Sequence, residues 1–188
     1  RLKDYRSQAA ELGRVFITNA TVQSRLKGVG VLAKDQAYKL GTVGPTLRAS
    51  GIVQDMRSLG YCTYGELGFE PVVETAGDSY SRCLVRIREL DASFGLIEKA
   101  AGLMSAGPVE VKVIGTPSGE YFCRTEQPRG EVIYYAKADG TKFLQRMRVR
   151  TPTFANLPAL VKMLAGCDLA DVPVLVLTID PCVSCTER

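Results

Sequence analysis

The stretch SYSRCLVRIRELDASFGLIEKAAGLM, residues 79–104, decides the fold. Its apolar side chains recur at steps of three and four residues: Cys83, Leu84, Ile87, Leu90, Phe94, Ile97, Ala101 and Met104. Such spacing predicts one long helix with a continuous apolar stripe in the core, the spine of a helical bundle. Asp78 or Ser79 can cap its start, and Gly107-Pro108 ends it. At about 1.5 Å per residue the helix would be ~40 Å long.

The chain before this helix is predicted to be helical but interrupted. Residues 2–17 carry apolar side chains at helical spacing, and Thr21 can cap a short helix that stops at Gly28. A further helical piece covers residues 33–40. The segment from 41 to 51 is too rich in glycine for a regular element, so we expect it to be irregular.

After the long helix the pattern becomes that of strands. Valines at 109, 111 and 113 alternate with charged residues, and Asp139-Gly140 is a strong hairpin signal between residues 131–136 and 141–149. We therefore expect a small antiparallel β region over about residues 109–150.

The remaining chain is predicted to be helical again. Asn156 can cap a helix through Leu164, with Pro158 in its first turn. Residues 168–179 fit a helix or a buried strand, and Pro173 favours the helix. Helices, then a small sheet, then helices indicate an α+β fold, which we assign to one domain over residues 1–188.

The composition is that of a globular protein. The 188 residues are 46% hydrophobic and 23% charged, with a formal net charge of +4, which excludes a disordered chain and a strongly basic nucleic-acid binder. The sequence contains no histidine, which excludes Ser-His-Asp and Cys-His catalysis and histidine-ligated zinc or haem within this chain. The longest apolar stretch, residues 172–179, is far short of the ~20 residues of a membrane helix. Four scattered cysteines are expected to be reduced core thiols: Cys62, Cys83, Cys123 and Cys167.

Two motifs suggest chemistry. Gly28-Val-Gly30 imitates a dinucleotide-binding turn, but the preceding residues 24–27 are no strand, which argues against nucleotide binding. The stronger signal is Asp180-Pro181-Cys182-Val183-Ser184-Cys185, whose two sulfurs can point at one ion. Thiolates select soft metals such as nickel, zinc or iron. A redox dithiol, or two unligated thiols on a fraying terminus, remains an alternative. With no second CxxC and no histidine, the chain alone cannot close a four-ligand site.

Four segments resemble known families. Residues 180–185 resemble the C-terminal metal motif of [NiFe]-hydrogenase large subunits, and 126–131 (EQPRGE) resembles their Pro-Arg-Gly segment. Residues 44–51 and 150–157 resemble segments of the quinone-site subunit of respiratory complex I. The mixture resembles the large subunit of the energy-converting, membrane-associated hydrogenases over nearly all of the chain.

The resemblance implies a role for each site residue. Cys182 would be a terminal nickel ligand, and Cys185 would bridge nickel to an iron that carries CO and cyanide. Arg129 would hold its guanidinium over the open metal position, and Asp180 would accept hydrogen bonds from it. Pro128 would shape the pocket around the diatomic ligands. From the residues alone, Arg129 could equally be a surface arginine paired with a neighbouring glutamate.

The resemblance also implies partners and a location. It implies a small subunit with an iron–sulfur cluster, membrane subunits of an ion-pumping complex, and a place on the cytoplasmic face of the membrane. The first CxxC of the family is missing, so we expect the C-terminal half of such a subunit, with Arg188 as its mature terminus or a boundary that copies it. Without nickel and the thiolates of the N-terminal half, we expect the chain from about Asp180 onward to be mobile or displaced. A quinone or sulfur-reducing relative and a metal-free scaffold fragment are the alternatives.

Overall fold

The computed structural model describes residues 1–187 and confirms the α+β class. The helices are α1 (Leu2–Thr18), α2 (Ala20–Leu26), α3 (Lys34–Lys39), α4 (Gly44–Arg48), α5 (Tyr64–Leu67), α6 (Ser79–Leu103), α7 (Pro152–Leu164), α8 (Val172–Thr178) and α9 (Val183–Thr186), with 3-10 turns at Met56–Leu59 and Leu169–Asp171. The strands are β1 (Ser118–Gln127), β2 (Gly130–Asp139) and β3 (Leu144–Arg150). The predicted terminus, Arg188, lies outside the described residues.

The long helix is confirmed within one residue of its predicted end. The Asp78 side chain accepts hydrogen bonds from the backbone N–H groups of Ser81 at 2.7 Å and Gly28 at 2.9 Å, so it caps α6 and ties it to the end of α2. Helices α1, α2, α4, α5 and α8 all contact α6. The helix is therefore the spine that the periodicity predicted.

The prediction that the whole apolar stripe of α6 is core was wrong. Within the stripe, Leu90 is 48% exposed, Ile97 50% and Met104 81%. The buried positions lie in the first two turns, where Arg82 and Val85 are both fully buried. The main core instead joins the short helices through a cluster of small and aliphatic side chains: Leu32, Ala37, Leu47, Ala159, Leu160, Met163, Leu175 and Ile179.

Several short elements differ from the predictions. The glycine-rich segment contains α4, because Gly44 adopts a φ of +67° and Pro45 then starts the helical turn. Asn19, not Thr21, caps α2. Helix α7 begins before Asn156, whose buried side chain accepts a hydrogen bond from the Val43 N–H at 3.0 Å instead of capping. The helix favoured by Pro173 is confirmed as α8.

The sheet is antiparallel in the order β1-β2-β3, and the predicted hairpin around Asp139-Gly140 joins β2 to β3. The predicted strand at 109–113 was wrong: this segment is exposed, because no neighbouring strand pairs with it, and the sheet begins at Ser118. The register pairs Gln127 with Gly130, so β1 and β2 are joined by the two-residue turn Pro128-Arg129.

The cysteines are free thiols, as expected, but Cys62 and Cys123 are exposed rather than in the core, while Cys83 and Cys167 are half-buried. Among residues 1–187, no helix combines the length and the apolar character needed to cross a membrane.

Candidate functional site

The β1–β2 turn brings Arg129 to the C-terminal segment. Its Nε donates to the Asp180 backbone oxygen at 3.0 Å, and its guanidinium also donates to the Asp180 carboxylate at 3.3 Å. The expected contact of these two residues is therefore present. The neighbouring glutamates are engaged elsewhere: Glu126 by Arg48, and Glu131 by two arginines of the sheet.

The backbone at Asp180 turns the chain toward the arginine. Its N–H donates to the Leu177 oxygen at 3.0 Å at the end of α8, and its φ is +55°, in the left-handed region that aspartate tolerates better than most residues. Pro181 follows immediately and prevents the helix from continuing. The reversal directs the two cysteines back over the start of α7.

Two threonines of α7 and its cap hold the cysteine segment. Thr153 accepts a hydrogen bond from the Cys182 N–H at 3.2 Å, and Thr151 donates to the Cys185 oxygen at 2.8 Å. Cys185 is buried, with 7% of its surface exposed. These contacts place the segment against the start of α7, while its mobility without nickel stays a prediction.

The two thiols differ in their protonation. The hydrogen bond with the Ser184 hydroxyl, the backbone N–H and thiol of Cys185 and the charge of Arg129 lower the pKa of Cys182 to about 7. Burial and the adjacent Cys182 raise the pKa of the Cys185 thiol. Near neutral pH the pair therefore holds its first negative charge on Cys182, the form that binds metals and acts as a nucleophile.

Both cysteines line a cavity of about 270 Å³ together with Pro128 and Arg129. Asp180 lines a second cavity of about 420 Å³, and both cavities share Pro128. The structure thus gathers the five residues singled out from the sequence around one turn. Their assigned roles stay predictions.

The donors suit half of a soft-metal site. Two adjacent thiols, one with a lowered pKa, have the chemistry that nickel and iron accept from cysteine. Within the described part of the chain, no group of three or more Cys, Asp or Glu side chains comes together to hold an ion. An ion held by Cys182 and Cys185 would therefore need further donors besides these two thiols.

One residue of the second cavity was missed by the sequence reasoning. Arg86 donates to the Arg82 backbone oxygen at 3.1 Å, but its Nε and one terminal nitrogen have no hydrogen-bond partner within residues 1–187. Burial lowers the pKa of Arg86, and the charge of Asp180 partly offsets this effect. The sequence signal that could have revealed Arg86 was its helical spacing from Arg82 and Glu89, which puts the three charged residues on one face of α6.

The comparisons with known proteins define the family. The family model described as the 49 kDa subunit of respiratory-chain NADH dehydrogenase matches residues 1–114 and 109–188, and the chain belongs to this family. A carbon monoxide-induced hydrogenase from Rhodospirillum rubrum is 41% identical over 180 residues, which cover 95% of this chain and 50% of that protein. One of the subunits of an NADH-quinone oxidoreductase from Solibacter usitatus is 37% identical over 174 residues, 90% of this chain and 47% of that protein.

A solved structure shows the same fold. The chain superimposes with a TM-score of 0.91 and 32% identity on a chain of the membrane-bound sulfane sulfur reductase, an archaeal respiratory membrane complex. The match covers 100% of this chain and 53% of that chain. The chain spans about half the length of the relatives it matches. The resemblance to the complex I-like family is confirmed, while the relatives carry three different chemistries in their names.

Proposed function

We propose that this chain is the catalytic-site half of the large subunit of an energy-converting [NiFe]-hydrogenase, which oxidises H₂ and reduces protons reversibly. One observation carries the proposal. Cys182 and Cys185 line a single cavity with Arg129, whose guanidinium is held by Asp180. A quinone-reducing subunit has no use for thiolates at this place, whereas a nickel–iron centre requires them.

The residues have separable roles. Cys182 and Cys185 would hold the metals, and a bound nickel–iron centre with CO and cyanide would supply the site at which H₂ is split. Arg129 presents a permanently charged, preoriented donor to the cavity, which stabilises developing negative charge without reorganisation. Asp180 fixes the rotamer of this arginine through two hydrogen bonds. Pro128 forms the wall of the cavity and contributes no backbone N–H.

We also propose a setting for this activity. Electrons would pass to a small subunit with an iron–sulfur cluster, and membrane subunits would couple the reaction to ion translocation on the cytoplasmic face of the membrane. The similarity to a chain of a respiratory membrane complex supports this arrangement.

The test is metal content and H₂ activity of the native assembly that contains this chain. We expect nickel and iron in stoichiometric amounts, and H₂-dependent reduction of an artificial electron acceptor. Cys182→Ser should remove both nickel and activity. Cys123 on β1 is exposed, so Cys123→Ser is the matched control and should retain both nickel and activity. A wild-type assembly that contains no nickel and shows no activity with H₂ would refute the proposal.

A second candidate is a sulfur-reducing subunit of a complex I-like assembly. The structural match to the sulfane sulfur reductase favours it, and thiols at the site are compatible with sulfur chemistry. Nickel-free assembly that reduces a sulfane sulfur compound but not protons would establish this candidate. If the chain is instead a metal-free scaffold, the assembly should show neither activity.

A further inference from the structure

A buried cluster of charges lies behind the β1–β2 turn. Arg48, the last residue of α4, is 1% exposed and forms ion pairs with Asp55 at 3.0 Å, Glu89 at 2.6 Å and Glu126 at 2.9 Å. Arg57 joins the cluster through Asp55 at 2.7 Å. The cluster therefore connects four elements: α4, the 3-10 turn Met56–Leu59, α6 and the end of β1.

Glu126 is the point at which this cluster reaches the turn. One of its carboxylate oxygens accepts from Arg48 at 2.9 Å, and the other accepts from the Met56 N–H at 3.0 Å. Its own N–H donates to the Tyr61 hydroxyl at 3.0 Å. Three hydrogen bonds thus fix the backbone three residues before Arg129.

The other end of α4 touches the far side of the same turn. A Cβ on Gly44 would lie 2.3 Å from the Arg129 oxygen and 2.4 Å from the Gly130 Cα, so the two backbones are in direct contact. A single helical turn therefore contacts the β1–β2 turn with Gly44 at one end and holds Glu126 with Arg48 at the other. Neither contact uses the Arg129 side chain, which instead donates a hydrogen bond to Asp180.

Stability alone is a weak reason for such a cluster. Two arginines and three carboxylates are taken out of water, and apolar residues of similar volume often serve a fold equally well at such places. What ion pairs with fixed geometry supply is position, because each hydrogen bond has a narrow range of distance and angle.

We propose that Arg48 and Glu126 are positioning residues that hold the β1–β2 turn so that the Arg129 guanidinium lies against Asp180 beside the two thiols. The chemical consequence rests on the proposed function, but the positioning itself does not.

Hydrogen exchange in the native assembly tests the positioning. Glu126→Gln keeps the shape of the side chain but places an amide N–H₂ against a donor, which loosens the anchor. We expect the backbone amides of Gln127, Arg129 and Gly130 to exchange roughly tenfold faster or more. Arg48→Lys should act in the same direction, since ammonium cannot reach three carboxylates in a fixed fork. Glu120→Gln, which removes an exposed ion pair with Lys137 from the same strand, is the control and should change nothing at the turn.

Activity provides the readout that a merely structural role would not affect. If the assembly oxidises H₂, Glu126→Gln should lower kcat with little change in KM. Combined with Arg129→Lys, it should cost no more than Arg129→Lys alone, because both act through one guanidinium. Additive losses of activity, or unchanged exchange at the amides of Gln127, Arg129 and Gly130 in Glu126→Gln, would overturn the proposal. An assembly without H₂ activity would refute the hydrogenase function and leave the exchange measurement to decide the positioning.

Discussion

Replacing Gly44 by alanine should destabilise the protein by forcing α4 and the β1–β2 turn apart. The new Cβ would lie 2.3 Å from the Arg129 oxygen and 2.6 Å from the Arg129 carbonyl carbon. Both are backbone atoms of a hydrogen-bonded hairpin, so no side-chain rotation relieves the clash. The φ of Gly44 is +67°, which adds strain for any other residue.

The size of the effect follows from these two costs. A left-handed φ at a non-glycine residue costs about 1 kcal/mol or more, and overpacking a closely packed site costs about 1–3 kcal/mol. Their sum, about 2–4 kcal/mol, corresponds to a fall in Tm of roughly 4–16 °C for a chain of this size.

Gly41→Ala is a matched control for this measurement. Gly41 has nearly the same φ, +64°, but a Cβ added there meets no atom within 4 Å. Only the backbone strain should remain, about 1 kcal/mol. Thermal and urea unfolding of both variants should show the larger loss in Gly44→Ala, and equal losses would refute the close contact between α4 and the turn.

Three further predictions concern buried charges and thiols. Arg86→Met should raise the free energy of unfolding of this chain by about 1–3 kcal/mol, because it removes buried donors that lack acceptors. Arg82→Met should lower the free energy of unfolding by at least about 2 kcal/mol, because it removes four hydrogen bonds that the buried guanidinium donates. Burial raises the pKa of Asp78, but hydrogen bonds from two backbone N–H groups outweigh this effect and lower it below its ordinary value of 3.8. Wild type should therefore have a higher free energy of unfolding than Asp78→Asn above pH 3.8, and this advantage should be lost as the pH falls through the lower folded-state pKa of Asp78. Urea unfolding of both proteins over this pH range measures the advantage, and an advantage that does not change with pH would contradict the prediction. In metal-free protein, iodoacetamide should modify Cys182 with an apparent pKa of about 7 and Cys185 much more slowly, and equal rates by mass spectrometry would contradict the difference in pKa and burial.

Local signals predicted the long elements well. The periodicity of α6 and the Asp139-Gly140 turn each specify a structure through neighbours a few residues apart, so the sequence reveals them. The exposure of Leu90 and Ile97 was not predictable in this way, because periodicity reports which residues share a face and not what covers that face. The strand prediction for residues 109–113 was wrong for a related reason, since alternating apolar and charged residues form a strand only where a partner strand exists.

The residues of the candidate site likewise fall into those that the local sequence revealed and those that it did not. The two cysteines were found through a short motif, and Arg129 and Asp180 through the resemblance of two short segments to hydrogenase large subunits. The residues that support them were not, because Arg48 meets Glu89 and Glu126 across separations of 41 and 78 positions. Such contacts depend on how α4, α6 and β1 pack, which no local pattern encodes.

The four segments that carry the family resemblance have distinct mechanical roles at this site. Residues 126–131 supply the turn with Arg129, and 44–51 supply the helical turn that contacts it on both sides. Residues 150–157 supply the threonines that hold the cysteine segment 180–185.

Both threonines bind backbone groups of the cysteine segment, and the Thr153 hydroxyl also hydrogen-bonds to the Cys185 thiol. The start of α7 thus holds the backbone of the cysteine segment, α4 holds the backbone of the β1–β2 turn, and Asp180 holds the Arg129 guanidinium. Two supports from different parts of the chain therefore meet across one cavity, and the hydrogen bonds between Arg129 and Asp180 join them. Such an arrangement is what a preorganised site requires, because its groups are in place before a ligand binds.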